Sequence, residues 1–476
     1  MLFNTPQFFL FLAVVLILFY TAPRAWRKYI LLAASYFFYM SFIPKFILLL
    51  ISLTAIDYTA ARWISRTESP RARRVALVVS LTANLGLLGF FKYYNFFAAN
   101  IAHLFHRPEN AFALSIILPL GISFHTFQSM SYVIDVYRKE QEPITNPIDY
   151  ALFISFFPQL VAGPIVRARE FFGDLYHWQR PSSDDVLRGL LLLFLGLAKK
   201  MVMADQFAQV ANGYFQDVSK HPGMAPAWSA VIAFGIQIYF DFSGYTDMAI
   251  GMAKLLGFHF PVNFRRPYLA SSITDFWHRW HISLSRWLRD YLYIPLGGNR
   301  HGRLETYRNL MITMLLGGLW HYTARSTVGS EIGSGWNFVV WGGYHGALLS
   351  LERMFRGKRS DEPARWTVLY PLQAIITFGL VMIGWVFFRA TTFHDSLYVL
   401  HQMFFVPHGQ QLIPRWLKML ALFTLVLAVL EEKKEWFEEI SMGPAWAYGA
   451  VCALLLLSVE LIGYTANAVP FVYFQF

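Results

Sequence analysis

Charge is what this chain has least of. Asp, Glu, Lys and Arg make up 14% of the 476 residues, whereas an ordinary soluble domain carries about 25%. So few charges cannot clothe a water-soluble globule of this size. Cysteine is nearly absent, and Cys452 stands alone. That excludes an intramolecular disulfide, a cysteine metal cluster and a Cys/Cys redox pair. No internal repeat, low-complexity tract or linker between soluble domains is visible either.

What fills the chain is apolar sequence. Hydrophobic residues account for 56% and mean hydropathy is +0.40. Stretches without Asp, Glu, Lys or Arg cover residues 1–23, 29–44, 75–91, 111–134, 221–240, 332–351, 366–388 and 440–459. Most reach or approach the ~20 residues that a helix needs to cross ~30 Å of hydrocarbon. The first has no basic leader and is followed by Arg24, Arg27 and Lys28, so it reads as a retained span, not a cleavable signal. The expected fold is an all-α polytopic membrane protein with roughly eleven transmembrane helices plus re-entrant or interfacial helices.

The formal net charge is +11, and its distribution separates nucleic-acid binding from membrane orientation. Ten basic residues follow odd-numbered spans: Arg24, Arg27 and Lys28; Arg62, Arg66, Arg71, Arg73 and Arg74; Arg138 and Lys139. The intervening loops are read as holding only Lys45, Lys92 and Arg107. This alternation is the positive-inside pattern, which puts the N-terminus outside the cytoplasm and makes the lipid bilayer, with no nucleic acid, the expected partner.

Residues 1–140 read as five regular spans, the third short and ending at Asp57. From residue 150 the apolar segments shorten or are broken by Gly and Pro, as in FFPQLVAGPI (156–165). Irregular backbone at membrane depth survives only where protein or water covers it, so 150–351 is the expected catalytic core and 366–476 a set of C-terminal spans, all within one domain, 1–476. The apolar core 190–198 ends in Lys199 and Lys200 and is ambiguous between a span and a re-entrant helix. Residues 257–309 form the longest polar insertion, and further spans are expected near 310–322, 336–351, 367–388, 417–430 and 445–463.

Ionisable residues within apolar runs are default pointers to a site. His321 ends the charge-free stretch of LLGGLWHY (315–322), where an imidazole kept from water is neutral and can act as a base; a core histidine bonded to a backbone carbonyl is the bland alternative. Gly317 and Gly318 permit close approach of a backbone or substrate. In DFWHRWHISLSRWLRDYLYIPLGG (275–298), helical spacing aligns Trp277, His281, Leu284, Leu288 and Tyr291, with Arg279, Arg286 and Asp290 opposite. His278 and His281 could form half a metal site, but no third ligand is near, so no metal is expected. YFDFSGYTDMAIG (239–251) carries Asp241, Ser243, Tyr245 and Asp247. Two carboxylates six apart do not share a helical face, so these residues either shape a polar passage or bond helix to helix. His345, in WGGYHGALL (341–349), reads as structural.

Together, LPLGISFHTFQSMSYVIDVYR (118–138), FFPQLVAGPIVR (156–167), YFDFSGYTDMAIGMAKLLGF (239–258), DFWHRWHISLSRWLRDYLYIPLGGNR (275–300), LLGGLWH (315–321), WGGYHG (341–346) and PFVYFQF (470–476) resemble the membrane-bound O-acyltransferase family, within it the bacterial alginate O-acetylation branch. The resemblance implies a helical scaffold around a thin core with a central tunnel. His321 matches the family's invariant histidine and His281 its second polar position. One departure is that Tyr322, where the branch has Gly, is followed by an apparent insertion at 323–335.

The implied reaction moves an acetyl group from a cytoplasmic thioester toward hydroxyls of an extracytoplasmic polysaccharide: an alginate-like exopolysaccharide, cellulose or peptidoglycan. No bound cofactor is expected. The donor is acetyl-coenzyme A or an acyl carrier, and a periplasmic acetyltransferase is the expected partner, at the inner membrane. His321 serves as general base and His281 orients or stabilises charge. Arg265, Arg266, Arg279 and Arg286 are the candidate phosphate contacts, or anchors to anionic lipid. The rival readings are D-alanyl transfer to teichoic acid, acylation of a lipid or protein, and a transporter of donor or glycan; transporters commonly carry internal repeats.

Overall fold

The computed structural model describes residues 1–161, 163–322, 331–356, 367–434, 443–464 and 471–472, and among these every regular element is helical. The first helices are α1 (Pro6–Thr21), α2 (Arg24–Met40), α3 (Ile47–Arg66), α4 (Pro70–Leu88) and α5 (Tyr94–Leu104). Asp57 does not end the third span: α3 runs through it. The buried carboxylate accepts from Ser80 Oγ at 2.5 Å, Asn84 Nδ2 at 2.9 Å and Ser129 Oγ, so helix-to-helix bonds replace water. Nor does Lys92 lie in a loop. It sits in a π-helical turn, Gly89–Tyr93, that joins α4 to α5, and its side chain is buried.

The middle of the chain holds α6 (Ile122–Arg138), α7 (Pro147–Ser155), α8 (Ala168–Tyr176), α9 (Ser183–Ala198), α10 (Asp205–Phe215) and α11 (Met224–Leu255). The ambiguity at Lys199 and Lys200 resolves into one long helical rod, because a second π turn, Lys199–Ala204, joins α9 to α10. The wide turn aims both lysines at α11: Lys199 Nζ meets Asp247 at 2.5 Å, and Lys200 Nζ meets Asp241 at 2.6 Å and Asp205 at 2.8 Å. The helices touch closely here, since a Cβ on Gly244 would stand 2.7 Å from the Gly196 carbonyl oxygen.

The polar insertion folds as two short helices, α12 (Ile273–Arg279) and α13 (Ile282–Leu288), followed by a third π turn, Arg289–Tyr293. The single amphipathic helix expected over 275–298 is therefore broken, at Trp280 and His281; His281 has φ +43°, a left-handed conformation that an α-helix cannot contain. The break lets residues 263–265 clip onto the chain, with Arg265 N–H donating to the Arg279 carbonyl and Ile282 N–H to that of Asn263, both at 2.9 Å. Then come α14 (Arg303–His321), α15 (Glu331–Arg356), α16 (Tyr370–Arg389), α17 (Phe393–Phe405), α18 (Arg415–Lys434) and α19 (Ala445–Ile462).

Pro44–Arg66, Pro70–Leu104, Tyr370–Arg389 and Ala445–Ile462 are each long and apolar enough to cross a bilayer. Polarity runs inside out relative to a soluble protein. Leu10, Ile17, Leu454 and Leu461 are exposed on the outside, whereas Asp57, Gln128, Lys200, Asp241 and His281 are buried, the pattern expected of a helical body solvated by lipid and holding its polar groups inside.

Candidate functional site

The site forms where α14 ends. Gly318 and Gly342 let α14 and α15 meet backbone to backbone: a Cβ on Gly318 would stand 2.3 Å from the Phe338 carbonyl oxygen, and one on Gly342 2.2 Å from that of Met314. This brings the last residue of α14, His321, against Trp341 at 5.2 Å between ring centroids, with Phe388 at 5.4 Å and Trp320 at 4.9 Å. Gly318 thus performs the close approach expected of the GlyGly pair, and Gly317 faces Leu288.

His281 arrives from the α12/α13 break. Its ring meets Phe242 edge-on at 4.7 Å and lies 6.4 Å from Trp320, so both histidines share one indole. His281 is fully buried, and its Nδ1 is 3.2 Å from Asn263 Oδ1. That oxygen also accepts from Ser283 N–H at 3.0 Å and Ser283 Oγ at 2.9 Å. Two donors identify Oδ1 as the carbonyl end of the amide, so the His281 proton is on Nδ1 and the neutral ring presents the Nε2 lone pair.

His281 Nε2, Trp320 Nε1 and Trp341 Nε1 are buried and make no hydrogen bond among the described residues, and the same holds for both ring nitrogens of His345. His345 packs 5.1 Å from Trp341, which extends the row His281, Trp320, His321, Trp341, His345. Buried polar atoms that the protein leaves unpaired require a reason. Those of His281, Trp320 and Trp341 belong to residues packed around the two histidines, and they are atoms able to meet a hydroxyl or a thioester carbonyl. Among the described residues no group of three His, Cys, Asp or Glu side chains could hold a metal ion.

The other sequence candidates fall elsewhere. Asp241, Ser243, Tyr245 and Asp247 are on α11, but the two carboxylates pair with Lys200 and Lys199, and Tyr245 stacks on Phe3 at 4.4 Å. From that motif it is Phe242 that reaches His281. Arg279 meets Asp275 at 2.6 Å and Glu432 at 2.7 Å, and Arg266 meets Glu432 at 2.6 Å; Arg265 and Arg286 are exposed. Residues 323–330 of the apparent insertion, and all but Phe471 and Val472 of the terminal motif, lie outside the described residues.

Asn263, Trp320 and Lys92 escaped the sequence reading. Asn263 is 18 residues from His281 across an irregular loop, where no periodicity links the two. Lys92 had the look of a loop lysine, and only the interruption of the apolar run by FFKYY hinted otherwise.

Comparison with known proteins identifies the family. The family model for the membrane-bound O-acyltransferase family matches residues 79–391. A Pseudomonas aeruginosa protein named as a probable alginate O-acetylase is 41% identical over 408 residues, covering 85% of this chain and 75% of the relative. A peptidoglycan O-acetyltransferase of Helicobacter pylori is 38% identical over 436 residues, 85% of this chain and 80% of the relative. A teichoic acid D-alanyltransferase of Bacillus subtilis is 29% identical over 308 residues, 61% of this chain and 72% of the relative. These matches over most of the length, on a body whose described elements are all helical, show that the chain belongs to the membrane-bound O-acyltransferase family and is a multi-pass membrane O-acyltransferase.

Proposed function

We propose that this enzyme moves an acetyl group from acetyl-coenzyme A, entering from the cytoplasm, toward hydroxyls of an extracytoplasmic polysaccharide, with a periplasmic partner completing the delivery. The observation that carries the chemistry is the convergence of His321 and His281 on Trp320 in a buried, aromatic-walled space. The O-acetylating relatives named above, at about 40% identity over most of the chain, supply the acyl class.

A hydroxyl is a weak nucleophile until a base takes its proton. His321 takes that proton as the oxygen attacks the thioester carbonyl carbon. The carbon–sulfur bond breaks, the ester bond forms, and the proton passes to the departing thiolate. His281, held in one tautomer by Asn263, offers Nε2 as an acceptor that orients the hydroxyl. Of the basic set, Arg265 and Arg286 are the residues left to meet donor phosphates, because Arg266 and Arg279 already face carboxylates. The D-alanyl relative is less similar and covers less of the chain, which favours acetyl over D-alanyl transfer.

Membranes containing the enzyme and an acceptor glycan or partner should transfer label from acetyl-coenzyme A, and His321→Ala should not. Transfer only from an acyl carrier protein would overturn the donor assignment. Normal transfer by well-inserted His321→Ala protein would remove His321 from the mechanism.

A further inference from the structure

Lys92 is 5% exposed, and the other deeply buried lysine among the described residues, Lys200, is matched by two carboxylates. No carboxylate faces Lys92 among the described residues. Its ammonium donates to the Trp320 carbonyl oxygen at 2.5 Å and to Ser123 Oγ at 3.1 Å, and it lies 5.2 Å from the centre of the Trp320 ring. Tyr93, the next residue, donates its hydroxyl to the Leu319 carbonyl at 3.0 Å. Two consecutive side chains of one helix do not normally face the same neighbour. Here the π turn at Gly89–Tyr93 puts more residues into one turn and so narrows the angle between successive side chains, and both reach α14.

The carbonyls they reach are among the last four of α14, which the helix itself leaves open; that of Leu319 also accepts the Tyr322 N–H at 3.0 Å. A cation and a hydroxyl at a helix C-terminus satisfy those oxygens and complement the negative end of its dipole. The next residue along α14 is His321. An ionisable group at membrane depth without a counter-charge is expensive, and an apolar residue would serve mere packing, so the contact calls for a role that needs a hydrogen-bond donor reaching the Trp320 carbonyl.

We propose that Lys92 is a positioning residue for the acyl transfer: it clamps the end of α14 through the Trp320 carbonyl and indole face and so fixes His321. This rests on the assignment of His321 as the base. A base displaced by about 1 Å can lose on the order of 10²-fold in rate. Lys92→Met keeps the chain's reach and removes its donors, and should lower kcat by about 10- to 100-fold. It should leave the KM for acetyl-coenzyme A within twofold and membrane yield and detergent melting temperature near wild type. Lys92→Gln, which can still donate to a carbonyl, should recover part of the lost kcat. Wild-type kcat in Lys92→Met, a rise in donor KM in place of the kcat loss, no recovery in Lys92→Gln, or a kcat loss matched by lost yield would each overturn the assignment. Should Lys92→Met not accumulate, Tyr93→Phe and Ser123→Ala each remove one bond around the clamp, and unchanged kcat in both would overturn it equally. His321→Ala, assayed in parallel, separates the two claims. An active His321→Ala sinks the base assignment and Lys92's role with it, whereas a dead His321→Ala beside a full-rate Lys92→Met sinks only the clamp.

Discussion

His281 is held by a hydrogen bond whose direction is set elsewhere. Ser283 donates twice to Asn263 Oδ1, which forces that oxygen to be the acceptor and His281 Nδ1 to be the donor. Asn263→Leu keeps the volume and removes the acceptor, so the ring can turn or change tautomer. Acetyl transfer should fall by about 10-fold or more, toward the loss expected for His281→Ala, which should impair transfer severely; wild-type turnover by Asn263→Leu protein would show that the tautomer is not held for chemistry. Removing the base itself should cost more, about 10²- to 10⁴-fold for His321→Ala with insertion unchanged. His321 was legible because an ionisable residue at the end of an apolar run stands out in one dimension. Asn263 and Trp320 were not, because their importance lies in what folds against them.

At the level of elements, the three π turns among the described residues share a feature. Each carries charge: Lys92 in the first, Lys199 and Lys200 in the second, Arg289 and Asp290 in the third. A π turn is rare and often functional, and hydropathy cannot reveal it, because it changes the angle between residues and leaves composition alone. Apolar length located two later helices that could cross a bilayer, 367–388 expected against Tyr370–Arg389 and 445–463 against Ala445–Ile462, whereas 310–322 falls inside the longer α14, Arg303–His321. The spans read as ending at Asp57 and Lys92 were misplaced because neighbouring helices satisfy those charges. Lys200→Met would leave Asp205 and Asp241 buried without their cation. Breaking a buried pair typically costs about 3 to 5 kcal/mol, which should appear as a large drop in the detergent unfolding midpoint; an unchanged midpoint would deny the cluster a structural role. Gly318→Val tests another contact, since its side chain would collide with the Phe338 carbonyl. It should separate α14 from α15 and lower both stability, by about 1 to 3 kcal/mol, and activity. A fully active, stable Gly318→Val protein would contradict the close approach.

At the scale of the whole molecule, the basic segments around Arg73, Arg138 and Arg167 meet. Arg73 donates to the Tyr137 carbonyl at 2.8 Å, Arg138 to that of Asp290 at 3.4 Å, and Arg167 pairs with Asp290. Loops that share an end share a side of the membrane, as the positive-inside reading of their charge requires, and which side that is remains the prediction. With Cys452→Ser as a thiol-free background, a cysteine at Ser69 should resist an impermeant thiol reagent in intact cells and react after permeabilisation. Labelling of intact cells would invert the topology.

The contact between Asp241 and Val472 bears on how the protein is made. Asp241 Oδ2 accepts from the Val472 N–H at 2.6 Å, across 231 residues of sequence. At roughly 5 to 20 residues per second of synthesis, that acceptor waits on the order of 10 to 50 s for its donor. During this interval α11 must sit in or beside the bilayer with Lys200 as its companion and one carboxylate oxygen unanswered. The helices around it therefore assemble provisionally, and a late strand of chain closes a joint laid down much earlier. Folding of this enzyme should be separable into an early helical body and a late sealing step, with the interval between them the period when quality-control proteases of the membrane have access.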